Sequence, residues 1–372
     1  MGPGKMKTFY CVLYFCKWVV GQTNPEFLVE LHVHLDGAAR LTTILETARR
    51  RKLLLPGDNL EDLKKSICVY HAKSLYKVLE AFTLFMPVIA GDRECISRIA
   101  YEFCEDCAIN GIRYVEARYS PHLLSNNEEK PEYATEHGDL TPREVAQIVN
   151  DAFERGSRDY GIIVKSILCC MRHRPDWSDE VVALASDFRS AGVVAIDIAG
   201  GFTKENIEGI PEGHKEAFKK AKDLRISITA HAGVDGPAAS VKEALDDLYA
   251  ERIGHGYHCL DDPEIYSEVK KKQIHLETCP VSSIRCGSVL EDIKQHPLLK
   301  FAADGINFSI NSDDPLVFDS TLVDDYSLAL EAGLTDRQII SGIFNAARSS
   351  FANEAEKQKI LKDLEEVYGP GF

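Results

Sequence analysis

Four stretches of this chain hold residues whose types and spacing could do chemistry. His32-Val33-His34-Leu35-Asp36 places two imidazoles and a carboxylate at alternate positions of an apolar run. Side chains alternate across a strand, so the three should share one face. Two imidazoles facing the inside of a sheet are not apolar core. His231 ends a second apolar run, and a lone histidine there is more often a hydrogen-bonded core residue than a ligand. His255 stands between Gly254 and Gly256, which leave space beside its ring. Asn311-Ser312-Asp313-Asp314 sets two carboxylates side by side, which repel unless a cation or hydrogen-bond donors hold them. Together His32, His34, His231 and Asp313 make a three-nitrogen, one-carboxylate set without a thiolate. That set suits Zn²⁺ with a position left open for water, whose pKa falls toward ~7 on the metal. His255 and Asp314 remain to take the proton of that water and to aim it. The chemistry expected is hydrolysis at a carbonyl-like or amidine carbon.

The elements that must position these groups are eight short strand-like runs: 29–35, 112–120, 164–170, 193–200, 226–233, 252–256, 274–280 and 306–313. Amphipathic helical patterns separate them. Thr141-Pro142-Arg143-Glu144 reads as a capping box with proline at the first helical position, and Val145, Ile148, Val149, Ala152 and Phe153 follow at helical spacing. Ser240-x-x-Glu243 and Thr335-x-x-Gln338 read as two further helix starts. Eight alternations of strand and helix point to an α/β fold, a (β/α)8 TIM barrel. The four chemical signals then sit at the ends of the first, fifth, sixth and eighth strands, the face on which such barrels carry their sites. Residues 42–108 are too many for one helix, so extra helices should be inserted after the first strand. One of them, at 75–85, puts Leu75, Val78, Leu79 and Phe82 on one face, either as core packing or as an apolar wall over a pocket.

The chain has 372 residues and a formal net charge of -15. So acidic a chain repels nucleic-acid backbones and anionic membranes, which points to a small-molecule partner. Eleven cysteines without framework spacing read as free thiols of a cytoplasmic protein. Residues 1–23 read as an N-terminal extension, disordered or signal-like, and 24–372 as one barrel domain. The basic start and short apolar run of that extension keep secretion open as an alternative. The run is too short to span a bilayer, so no membrane insertion is expected. Asn307-Phe308-Ser309 matches a glycosylation sequon but falls in an apolar strand pattern, where burial is expected.

The residues resemble a known family. "VELHVHLDG", "RYSPHLL", "SILCCMRH", "VVAIDIAG", "HAG", "RIGHGYH" and "INSDDPLVF" are similar to vertebrate-type adenosine deaminases, metal-dependent hydrolases of the amidohydrolase superfamily. The resemblance runs from about residue 28 to 370, in order and nearly without gaps. It implies one zinc per chain, a monomer, and hydrolytic loss of ammonia from adenosine and 2′-deoxyadenosine in purine salvage. It implies His32, His34, His231 and Asp313 as zinc ligands and His255 as the histidine acting on the attacking water. Asp314 matches the carboxylate that orients that water and contacts the purine. Gly200 matches a backbone donor to the ring, and Asp36 the acid that binds ribose. Leu75, Leu79 and Phe82 match the family's apolar lid, with Val78 where a larger aromatic often stands. A carboxylate at Asp36 accepts a hydrogen bond from a 5′-hydroxyl and repels a 5′-phosphate, which favours nucleosides over nucleotides. The zinc deaminases of polynucleotides need H-x-E with P-C-x-x-C; His275-Leu276-Glu277 occurs here, but no Pro-Cys dipeptide follows it.

One position departs from the resemblance. The family pattern after the ligand histidine is His-Ala-Gly-Glu, and here it is His231-Ala232-Gly233-Val234, with no gap before "SVKEALDDL". Val234 therefore stands where the family has its proton donor to purine N1. Asp235 follows, ~3.8 Å along the backbone. Its side chain should point elsewhere, and catalytic groups need placement within ~0.5 Å, so Asp235 is a poor substitute.

Overall fold

The computed structural model describes residues 27–201 and 209–372. The expected N-terminal extension, 1–23, lies outside the described residues. Eight strands run β1 Leu28–His34, β2 Ile112–Tyr119, β3 Ile163–Met171, β4 Val193–Ala199, β5 Ser227–Ala232, β6 Arg252–His255, β7 His275–Thr278 and β8 Phe308–Ile310. They pair in sequence order, each parallel to the next. A parallel bridge between Val33 and Asp313 brings the chain beyond β8 back to β1, so the barrel closes on itself. This is the (β/α)8 fold expected from the alternation.

The insertion after β1 is four helices, α1 Leu41–Arg51, α2 Leu60–Ile67, α3 Leu75–Ile89 and α4 Arg93–Ile109. The later crossovers are covered by α5 Pro142–Tyr160, α6 Ser178–Asp187, α7 Glu212–Asp223, α8 Ala238–Asp246, α9 Pro263–Lys272 and α10 Pro297–Asp304. Two helices, α11 Asp336–Ser349 and α12 Glu354–Tyr368, complete the chain. The capping boxes read at Thr141 and Thr335 both form, and both hydrogen bonds are present in each. Along α5, Val145, Val149, Ala152 and Phe153 are buried while Ile148 is half-buried, so the helical spacing does face the barrel.

Two readings of detail need correction. Ser240 does not cap a helix; α8 starts at Ala238 after Pro237. The Ser240 hydroxyl donates to the Pro237 carbonyl at 2.7 Å and accepts from the Gly233 N–H at 3.0 Å. Strand β8, Phe308–Ile310, is shorter than its apolar run; beyond it Asp313 turns into the left-handed region at φ 65° and pairs across to β1 instead of extending β8. Asn307, in the sequon, is half-buried and its amide is engaged by the Gln273 carbonyl and the Ser349 hydroxyl, each at 3.2 Å. The nine cysteines among the described residues are all buried and free. No helix of the described residues is long and apolar enough to cross a membrane.

Candidate active site

The end of β1 is where the site begins. Pairing with β2 runs Glu30 to Val115 and then Val33 to Ala117, so one extra residue of β1 is accommodated between them. Such an irregularity re-aims side chains, and bulges gather beside active sites. Here it brings His32 Nε2 to 3.2 Å and His34 Nε2 to 3.5 Å from Asp313 Oδ1. His34 Nε2 also lies 3.2 Å from His231 Nε2. One ligand atom from each of His32, His34, His231 and Asp313 falls within 4.8 Å of all the others. His255 stands beside them, its Nε2 3.9 Å from Asp313 Oδ2. Both His255 and Asp313 hold positive φ, at 66° and 65°. That strain in non-glycine residues is tolerated where a site needs a particular direction.

Glycines make the crowding feasible. A Cβ on Gly254 would stand 2.9 Å from His32 Cε1, so the strand beside β5 must be bare there. The space expected around His255 thus serves the ring of His32. A Cβ on Gly37 would stand 1.8 Å from Asp314 Oδ1, so the turn after β1 is open only to glycine.

The donors fit a zinc ion. Buried His32 Nε2 has no hydrogen-bond partner, and the facing nitrogens of His34 and His231 cannot both donate to each other. Burial, the largest influence on each, pulls His34, His231 and His255 below the ordinary imidazole value, which keeps them neutral as metal ligation requires. Asp313 is buried too, yet the imidazoles around it, His32 hydrogen-bonding its carboxyl among them, hold it well below the usual range. Burial pushes Asp314 well above it, helped by the charges of Asp313 and Asp36.

A buried charge network that the sequence did not single out orients the rings from behind. His32 Nδ1 bonds Glu277 Oε2 at 2.7 Å, and His231 Nδ1 lies 2.8 Å from Asp197 Oδ2. Arg118, fully buried, spans both carboxylates, donating to Glu277 at 2.7 Å and to Asp197 at 3.0 Å. Arg252 donates to the other oxygen of Glu277 at 2.7 Å and pairs with Glu116 at 2.6 Å. Ser282 donates to Asp313 Oδ2 at 2.6 Å. The signal for the network was present, as charged residues at alternate positions of apolar strands, but their partners depend on the closure of the barrel.

Above these groups opens a cleft. His34, Asp36, Gly200, His231, His255, Asp313 and Asp314 line it, as the sequence reading expected of a common site. Asp36 lies on a short 3₁₀ turn directly after β1, and burial lifts its carboxyl to about 6. Leu75, Val78, Leu79 and Phe82 of α3 line the cleft as well, which settles their helix as a wall and not only as packing. The sequence reading missed Met86, Leu123 and Phe318, which extend that wall, and Arg172, whose guanidinium donates to the His231 carbonyl. Val234 also lines the cleft and is 6% exposed. Asp235 borders it from an exposed position.

A family model for adenosine deaminase matches residues 28–367. The adenosine deaminase of Danio rerio is 48% identical over 343 residues, covering 92% of this chain and 95% of that protein. The adenosine deaminase of Bos taurus is 47% identical over 343 residues, covering 92% and 94%. Among solved structures, an adenine deaminase from Arthrobacter aurescens superposes with a TM-score of 0.80 over 92% of this chain and 99% of that one, at 24% identity, which speaks to the fold alone. By sequence and by architecture, this chain belongs to the adenosine deaminase family.

Proposed function

We propose that this chain is a zinc-dependent hydrolase of purine nucleosides. It converts adenosine and 2′-deoxyadenosine to inosine and 2′-deoxyinosine with release of ammonia, and Val234 weakens the step. The observation that carries the reading is the convergence of three imidazoles and one carboxylate, three of the four lining a single cleft. His32, His34, His231 and Asp313 hold the metal. When bound, zinc supplies acidity that makes water a nucleophile near neutral pH. His255 takes the proton of the attacking water and passes it toward the leaving amine. Asp314, pressed against the turn at Gly37, orients that water and meets the purine. Gly200 offers a backbone N–H to the ring, and Asp36 accepts a hydrogen bond from the sugar hydroxyl. The wall of Leu75, Leu79 and Phe82 keeps bulk water out.

Val234 supplies methyl groups where a proton is needed. Loss of general-acid catalysis costs ~10²–10⁴ in rate, roughly 3–5 kcal/mol of barrier. A purine N1 buried against methyls also forfeits its hydrogen bond, about 1–3 kcal/mol. This supports a second reading, a nucleoside-binding protein without useful turnover. The deciding experiment is the loss of adenosine absorbance on zinc-loaded protein, wild type beside Val234→Glu. The deaminase reading expects Val234→Glu to be faster by about 10²–10⁴. A silent wild type with an active Val234→Glu establishes the binder. Equal, high rates would overturn the role given to position 234, and Asp235→Asn would then report whether its neighbour donates the proton.

We place the protein in purine salvage, as a monomer in the cytoplasm. The buried free thiols support a reducing compartment.

A further inference from the structure

The turn that precedes Val234 is held by two hydrogen bonds. Gly233, at φ 62°, gives its N–H to the Ser240 hydroxyl at 3.0 Å and takes the His258 N–H on its carbonyl at 3.0 Å. Val234 follows directly and is 6% exposed within the cleft's lining. A valine ends at its γ-methyls, whereas a glutamate continues through Cδ to a carboxyl group. The cleft wall at position 234 therefore ends in methyls where a glutamate would present a carboxyl group.

A cleft wall that ends in methyls at position 234 fits a ligand that is apolar at that point. We infer that the substrates this site favours are purine nucleosides already alkylated at N1, for which 1-methyladenosine is the probe. The inference rests on the deaminase reading, with N1 facing Val234.

The reaction balances without an acid at position 234. In the N1-methyl cation the positive charge lies across C6, N1 and N6, so C6 is already electrophilic. The water oxygen bonds C6 while the C6–N1 π pair settles on N1 and discharges the ring. One water proton passes through His255 to N6, the C6–N6 bond breaks with its pair on nitrogen, and the remaining hydroxyl proton goes to the departing ammonia as a carbonyl forms at C6. The cation and one water give neutral 1-methylinosine and one ammonium ion. With adenosine the same electron pair needs a proton at N1, and valine has none. The methyl group meets Val234 in van der Waals contact, where a glutamate would clash with it.

The test compares kcat/KM for 1-methyladenosine and adenosine, followed by ammonia release, in the zinc-loaded wild type and Val234→Glu. Equilibrium binding of 1-methylinosine and inosine to the wild type runs beside it. We expect the wild type to prefer 1-methyladenosine by about tenfold or more, since adenosine alone bears the missing general acid. We expect the wild type to bind 1-methylinosine more tightly than inosine, and Val234→Glu to invert the substrate preference. The product comparison needs neither turnover nor the variant, so a variant that fails to fold leaves the proposal falsifiable. If Val234→Glu deaminates adenosine while the wild type neither turns over 1-methyladenosine nor prefers its product, the N1-alkyl inference falls and the deaminase reading stands. If no form acts on either nucleoside and neither product binds, both fall together.

Discussion

At the scale of single residues, the candidate metal-binding groups were legible because they are anomalies. A histidine in an apolar strand must be explained, and four such anomalies at strand ends share one explanation. The groups behind the ligands were less legible. Asp197 and Glu277 are also charged residues in apolar strands, yet nothing in their spacing says that one serves His231 and the other His32. That pairing is made by Arg118, which reaches both carboxylates across the closed barrel. Carboxylates behind metal-bound imidazoles fix the tautomer and raise ligand basicity. Asp197→Asn should therefore weaken zinc affinity by about 10–100-fold. Competition with a coloured chelator measures this, and an unchanged affinity in a folded variant would remove Asp197 from the metal's support. Glu277→Gln should lose more than Asp197→Asn, because it also leaves Arg118 and Arg252 short of a buried partner charge.

At the scale of elements, the local rules worked where local chemistry decides. Thr141 and Thr335 cap helices because the hydroxyl and the residue three places on satisfy each other's backbone groups. Ser240 has the same spacing to Glu243 but fails as a cap, since the turn at Gly233 recruits its hydroxyl and Pro237 starts the helix earlier. A tertiary contact of this kind is invisible to a four-residue pattern. The extra residue within β1 between Glu30 and Val33 and the early end of β8 were similarly out of reach, because both depend on pairing with a neighbouring strand. Helix α5 offers the test at this scale. Removing its cap with Thr141→Ala should lower stability by about 1 kcal/mol without touching the cleft. Urea unfolding of the zinc-loaded protein measures it; a loss below the error of the method would mean that Arg93, which also pairs with Glu144, holds the helix start alone.

At the scale of the whole molecule, an acidic chain folds around carboxylates that it cannot all afford to ionise. Glu30 is the clearest case outside the cleft. Its carboxylate accepts the Ser312 N–H at 2.8 Å and the Ser312 hydroxyl at 2.5 Å, so it ties the segment after β8 to β1 and helps close the barrel. Burial nevertheless outweighs those two bonds and lifts its pKa from 4.5 to about 7. The sign of the consequence follows from proton binding. Between pH 4.5 and about 7 the folded chain keeps a proton on Glu30 that the unfolded chain has released. Stability therefore falls as pH rises through that window, by about 1 kcal/mol per unit at most, and levels off above it. Glu30→Gln keeps an oxygen to receive Ser312 and has no proton to lose. Its unfolding free energy should fall less steeply than that of the wild type across the same window, and the two curves should run parallel at higher pH. Asp36, lifted to about 6, contributes a slope of the same sign to both proteins and cancels in the comparison. Denaturation at a series of pH values with zinc in constant excess reads the difference directly. Parallel curves throughout would place the Glu30 charge within what Ser312 can stabilise, and the cost of burying acids in this barrel would have to be sought at Asp325 instead, whose carboxyl burial also raises.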